Sequence, residues 1–220
     1  MIDLSISKEI IEDAIAFSNF RNVIKNILIK CNLHFDKFTI TDRDSFDGFI
    51  AEKIFREYLE KNRNISADLI RNWEDEHPIP KEIITKIHNK LQLSREDLEL
   101  IKNYFYDKWD LKINKLHVDV KTAATHLEPK EPWTYGIPKI QVEKAGKDIV
   151  VLNYLIYDKD PKKFKDAKPV KCVLIGGMSI ADIKKCPIKT INDFAGHKYQ
   201  VENYETKISE YYDIEGFLKR

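Results

Sequence analysis

The chain has 220 residues, 43% hydrophobic and 33% charged, yet 37 Lys+Arg nearly cancel 36 Asp+Glu and leave a net charge of +1. That size suits one compact domain, 1–220. The charge balance excludes the strongly basic footprint of histone-like or ribosomal proteins but not local contacts with nucleic acid. No stretch approaches the roughly 18 consecutive apolar residues of a membrane span, so no membrane partner is expected. Met1-Ile2-Asp3-Leu4-Ser5 lacks the basic patch and apolar core of a signal peptide. Cys31, Cys172 and Cys186 are odd in number and form no C-x-x-C pair, which predicts core or incidental thiols in a reducing, cytoplasmic setting.

In chain order, the first half reads as helix. Ile10, Ile11, Ala14, Ile15 and Phe17 recur at helical spacing, as do Val23, Ile24, Ile27 and Leu28. Thr41-Asp42-Arg43-Asp44-Ser45 reads as a turn before a helix over Phe46 to Leu59, whose apolar stripe is Phe49, Ile50, Ile54, Phe55 and Tyr58. Helices over Lys81 to Leu91 and Arg95 to Phe105 follow a loop punctuated by Pro78 and Pro80. Ser94 with Asp97 announces the second as a capping box. Near residue 107 the period changes from 3.6 to 2. Trp109, Leu111 and Ile113, then Leu116, Val118 and Val120, alternate with polar residues. The runs Ile149 to Ile156 and Val170 to Ile175, apolar but for Asn153 and Lys171, read as buried strands. A short helix is expected over Ser179 to Lys185, an edge strand over Tyr199 to Tyr204 and a closing helix over Ile208 to Leu218. The sum is an α/β fold, a mixed central sheet flanked by helices behind a helical N-terminal half.

The chemistry concentrates in residues 109–121. A two-residue turn at Asn114-Lys115 puts Asp110 opposite Asp119 across a hairpin, with Cβ atoms roughly 4.5–5.5 Å apart. Alternation places both on the side of Lys112, His117 and Lys121. Facing carboxylates repel, so this arrangement calls for a positive partner, of which a divalent cation is the simplest. Acid-x-Lys triplets also start at Asp110, Glu128, Asp160, Asp166, Asp182 and Glu205. The Asp119 triplet is set apart by its period-2 context and by a carboxylate on the preceding strand that points the same way. The alternative is a solvated strand pair with Asp119 and Lys121 as a surface ion pair. His117 and His126 are read as bystanders.

Asp110, nine residues, then Asp119-Val120-Lys121 resembles the signature of the PD-(D/E)xK nuclease superfamily, the restriction-endonuclease-like fold. Trp109 stands where the family name has Pro. Ala51-Glu52 within Gly48-Phe49-Ile50-Ala51-Glu52-Lys53 resembles the acidic first helix of many members, and Ile175-Gly176-Gly177-Met178-Ser179 the later turn into a helix. The resemblance covers residues 46–61 and 107–185. It implies a Mg²⁺-dependent DNA endonuclease, with Mn²⁺ as substitute, that leaves 5′-phosphates. Asp110, Asp119 and the Val120 carbonyl would hold the metal, which would polarise a phosphate oxygen and acidify a water. Lys121 would orient that water, and Glu52 would hold a second metal or tune the first through a water.

A sequence-specific enzyme of type II restriction character, acting on double-stranded DNA as a homodimer, is the leading expectation. Charge near zero disfavours tight sequence-blind binding, and residues 62–106 form a helical insertion that supplies material for recognition. A repair, junction-resolving or mobile-element nuclease and a non-catalytic DNA-binding module remain as alternatives. The helix pair 81–91 and 95–105 reads either as a helix-turn-helix or as a layer covering a sheet. The run Lys159 to Lys171, six lysines against two aspartates, reads as a solvated loop or a DNA-backbone contact. Trp133 and Tyr135 either stack on bases or anchor their loop.

Overall fold

The computed structural model describes residues 1–33, 41–63, 65–190 and 201–214. The chain divides into two compact units, a helical one of residues 7–114 and a sheet unit of residues 1–6 with 115–220.

Strand β1 (Ile2–Ser5) belongs to the sheet unit. In the helical unit, α1 (Lys8–Lys30) starts at Ser7, whose side chain accepts from the Ile10 backbone. Helix α2 (Asp42–Arg63) begins four residues before the sequence expectation. The physical reason is a reciprocal cap. Asp44 Oδ2 accepts from the Thr41 backbone N–H at 2.7 Å, and Thr41 Oγ1 accepts from the Asp44 N–H at 3.1 Å. The supposed turn is thus the helix start. Phe17 and Phe49 join α1 to α2 with ring centroids 4.6 Å apart.

The insertion over 62–106 is more varied than a set of helices. It holds a 3-10 turn (Ala67–Leu69), β2 (Ile70–Asn72), α3 (Trp73–Glu76), α4 (Lys81–His88) and α5 (Arg95–Phe105). The Ser94–Asp97 capping box forms as expected. Ile24, Leu28, Ile83, Ile101 and Phe105 close a core between α1, α4 and α5, so the α4–α5 pair buries one face within this unit. Strand β3 (Leu111–Ile113) pairs antiparallel with β2. At the expected turn, Asn114 adopts φ 54, the left-handed conformation that Asn tolerates.

The sheet unit continues with β4 (Leu116–Thr125), β5 (Thr134–Pro138), α6 (Lys139–Glu143), β6 (Ile149–Tyr157), β7 (Pro169–Ser179), α7 (Ile180–Ile183), β8 (Ile188–Lys189) and β9 (Asn203–Lys207). Its larger sheet runs β1-β7-β6-β4. Strand β4 lies parallel to β6, whereas β7 is antiparallel to both β6 and β1. The sheet is therefore mixed, and the protein is a mixed α/β fold. All nine residues of β6 are buried, Asn153 included, as a run apolar but for that residue predicts. Strands β5, β9 and β8 form a second sheet in that order. With α6 and α7, β5 and β9 cover the face of β6 and β7 that carries Val150 and Met178.

Trp133 and Tyr135 anchor their loop. Both pack against the cluster of Leu152, Tyr154 and Val173, and the Tyr135 hydroxyl donates to the Thr122 carbonyl at 3.3 Å. Over residues 208–213 the expected closing helix is replaced: residues 208–210 make a 3-10 turn, Tyr212 bridges back to Gly177, and Ile214 is helical. Residues 215–218 of that expectation, and 199–200 of the expected edge strand, lie outside the described residues. The bridge explains Gly176. It sits at φ 152, and a Cβ there would lie 2.3 Å from the Tyr212 carbonyl oxygen. Gly176→Ala is expected to cost about 2–4 kcal/mol of unfolding free energy, read from the urea midpoint at unchanged slope.

Among the described residues, no helix is long and apolar enough to cross a membrane. Cys31 is exposed, Cys172 buried and Cys186 intermediate, and all three are free thiols.

Candidate functional site: a buried aspartate between two lysines

Asp119 lies on β4 opposite Val150 of β6, and Lys121 lies opposite Leu152. Paired residues share a sheet face, so Asp119 and Lys121 point to the side of Val150 and Leu152. Val118 and Val120 point to the other. The sequence pattern allowed one wet face here, but Val118, Asp119 and Val120 are all buried in succession. The solvated ion-pair alternative therefore does not describe this strand.

Both oxygens of Asp119 hold an ammonium group. Lys121 Nζ stands 2.9 Å from Oδ2, and Lys147 Nζ stands 2.7 Å from Oδ1. The side chains of Asp119, Lys147 and Lys121 are 4%, 7% and 17% exposed, which makes this a buried triad rather than a surface pair. Burial pushes the Asp119 carboxyl up, but Lys121 and Lys147 more than offset it and hold the group below its ordinary range. Asp119 is thereby kept ionised.

Lys147 was not legible from the sequence. It occupies the connection between α6 and β6, just after Gly146, whose φ of 103 turns the backbone there. The next residue bolts the connection down. The Asp148 N–H donates to the His117 carbonyl at 2.9 Å, and Asp148 Oδ2 accepts from the His117 N–H at 2.8 Å. His117 accordingly serves the frame, with its ring 3.6 Å from Asp148. A signal for Lys147 would have required the β4–β6 register, which no local pattern encodes.

Glu52 and Asp110 are in the helical unit, and the structure puts them into one electrostatic neighbourhood. Burial raises the Glu52 carboxyl well above its ordinary range, and Asp110, Glu74 and Asp107 raise it further against the opposing pull of Arg21. Glu74 is pushed up to about 6, first by burial, with Asp107 adding to the rise while its backbone hydrogen bond and Arg21 oppose it. Arg21 is the cation among these acids. It pairs with Asp107 at 3.3 Å and Glu74 at 3.8 Å, donates to the Phe105 carbonyl at 3.0 Å, and stacks over Phe105. Glu74, within the four-residue α3, and Asp107, in the irregular connection after α5, carry no periodic context that would have marked them in the sequence.

Magnesium, implied by the family resemblance, prefers carboxylate, carbonyl and water oxygens. The donor types fit: carboxylates outnumber the cation around Glu52, and crowding there disfavours ionisation unless positive charge is added. Among the described residues, no three His, Cys, Asp or Glu side chains already stand as a metal-ligand group.

Compared with family models, curated proteins and solved structures, the chain gives no match.

Proposed function

We propose that this protein is a Mg²⁺-dependent DNA endonuclease, of type II restriction character, which cleaves double-stranded DNA as a homodimer and leaves 5′-phosphates. The observation that supports this best is the Asp119–Lys121 pair. An acid and a lysine two residues apart share one strand face, in contact and largely shielded from water. A structural ion pair gains little from such burial, whereas a hydrolytic centre needs a fixed carboxylate beside a mobile ammonium group.

In this reading Asp119 and the Val120 carbonyl, in the sheet unit, and Asp110 and Glu52, in the helical unit, are the residues that the resemblance assigns to Mg²⁺ or Mn²⁺. When bound, the ion polarises a phosphate oxygen and lowers the pKa of water. Lys121 Nζ orients the attacking water and stabilises negative charge developing on the phosphate oxygens. Water oxygen bonds to phosphorus as the P–O3′ bond breaks. The attacking water gives up a proton to solvent, the 3′ oxygen takes one up and leaves as a hydroxyl group, and the phosphate stays on the 5′ oxygen. The resemblance places the restriction-endonuclease-like core over 46–61 and 107–185.

The test is incubation of linear duplex, supercoiled, branched and single-stranded DNA with purified protein and Mg²⁺ or Mn²⁺, followed by end mapping. Discrete bands with 5′-phosphate ends from linear duplex are expected. Cleavage confined to branched DNA would instead favour a junction-resolving or repair role. Glu52→Gln and Lys121→Gln should each lower the rate by at least about 100-fold while the protein stays folded. DNA left intact by every combination, but bound equally by wild type and Lys121→Gln, would leave only the binding-module alternative.

A further inference from the structure

We propose that Lys147 is a positioning residue of the hydrolytic site, a clamp on Asp119 that keeps its carboxylate oriented while Lys121 is engaged with water; this rests on the nuclease reading. The shorter of the two ammonium contacts to Asp119 is that of Lys147, 2.7 Å against 2.9 Å. Lys147 is also the more enclosed lysine, 7% exposed against 17%.

The two lysines differ in how they are mounted. Lys121 shares β4 with Asp119, so its contact spans two residues of one strand and depends on a flexible four-carbon stem. Lys147 enters from the start of β6. Its backbone is fixed on both sides, by the left-handed turn at Gly146 and by the reciprocal Asp148–His117 hydrogen bonds. The Asp148 carbonyl in addition accepts from the Ile180 N–H at 3.0 Å, at the first residue of α7. The ammonium on Oδ1 is therefore held by framework, and the one on Oδ2 by the same strand as the acid.

This difference matters when Lys121 does its work. Turning toward water weakens its hold on Oδ2, and a carboxylate attached at one atom can rotate about χ2. With Oδ1 retained by Lys147, the plane stays set and Oδ2 is presented in one direction. Displacement of a reacting group by about 1 Å can cost on the order of 10² in rate, which is the scale of effect the clamp prevents.

The experiment measures cleavage kinetics and DNA affinity for wild type, Lys147→Met and Lys147→Arg, with folding followed by circular dichroism. Lys147→Met is expected to lower kcat about 100-fold with KM within about threefold, and Lys147→Arg to restore kcat to within about tenfold of wild type. A merely structural lysine would leave kcat per folded molecule unchanged on replacement, which overturns the proposal. A KM that rises in step with the loss of kcat overturns it too. If Lys147→Met does not fold, Lys147→Gln, uncharged and one bond shorter, gives up the ion pair to Oδ1 and decides by the same two constants. Its kcat must fall at least about tenfold at constant KM, and equality with wild type overturns the clamp. An inactive wild type removes the nuclease reading and the clamp together, whereas an active wild type matched by Lys147→Met removes the clamp alone.

Discussion

Asp119→Ala is expected to lower the unfolding free energy by about 3–5 kcal/mol, because it strips the acid from two largely enclosed ammonium groups at once. The loss should be partly repaired in Asp119→Ala/Lys147→Met, where the more deeply buried charge is gone as well. Such recovery is a coupling between neighbours, visible as non-additivity in a double-mutant cycle of urea melts. An Asp119→Ala protein within about 1 kcal/mol of wild type would mean that water reaches both lysines. The same triad gives an acid dependence. The Asp119 carboxyl is held below its ordinary value in the folded protein, so the stability it contributes is present at neutral pH. It is lost as pH falls below the ordinary aspartate range and through the folded pKa.

The helical unit should show the opposite sign. Glu74 has a folded value of about 6, above the ordinary 4.5. Between those values the folded protein binds more protons than the unfolded chain, so stability falls as pH rises through the window. The difference corresponds to about 2 kcal/mol at pH 7.5. Glu74→Gln, which removes the titrating group, should be more stable than wild type by about that amount at pH 7.5 and equal to it near pH 4. Glu52→Gln should shift stability the same way, since Glu52 is also raised by burial and by neighbouring acids. Urea melts at the two pH values decide. Glutamine variants less stable than wild type at pH 7.5 would show that these carboxylates are satisfied as anions. Together with the expected loss of cleavage in Glu52→Gln, a gain in its melting temperature would separate the chemical role of this acid from any structural one.

Features written into local sequence were recoverable. The run in β6, apolar but for Asn153, marks a doubly buried strand, Ser94 and Asp97 mark the start of α5, and Asn114 marks a turn with positive φ. Asp119 and Lys121 were legible as a pair because two-residue spacing on a strand fixes a shared face. Their depth was not: alternation with charged residues suggests a half-wet strand, whereas Val118, Asp119 and Val120 are buried together. Lys147 depends on a parallel register, which is long-range information. Strand β1, four residues with alternating partial burial, is too short for a period to stand out. The start of α2 was misread because Thr, Asp and Ser favour turns and helix caps for the same reason, a side chain that competes for backbone N–H groups.

The sheet unit is assembled from two separated stretches of chain, and this bears on how it forms. Ile2 pairs with Leu174, so residues 7–114, with a core of their own, intervene between one sheet neighbour and the other. Closing a loop of that length is entropically slow, and such pairings dominate the folding time of high-contact-order proteins. During synthesis the helical unit can mature while β1 waits for β7 to leave the ribosome, and the β7 edge of the sheet then stays unpaired until β1 docks. Docking of β1 is thus expected late in folding, and the interval before it is when association between nascent chains is most dangerous.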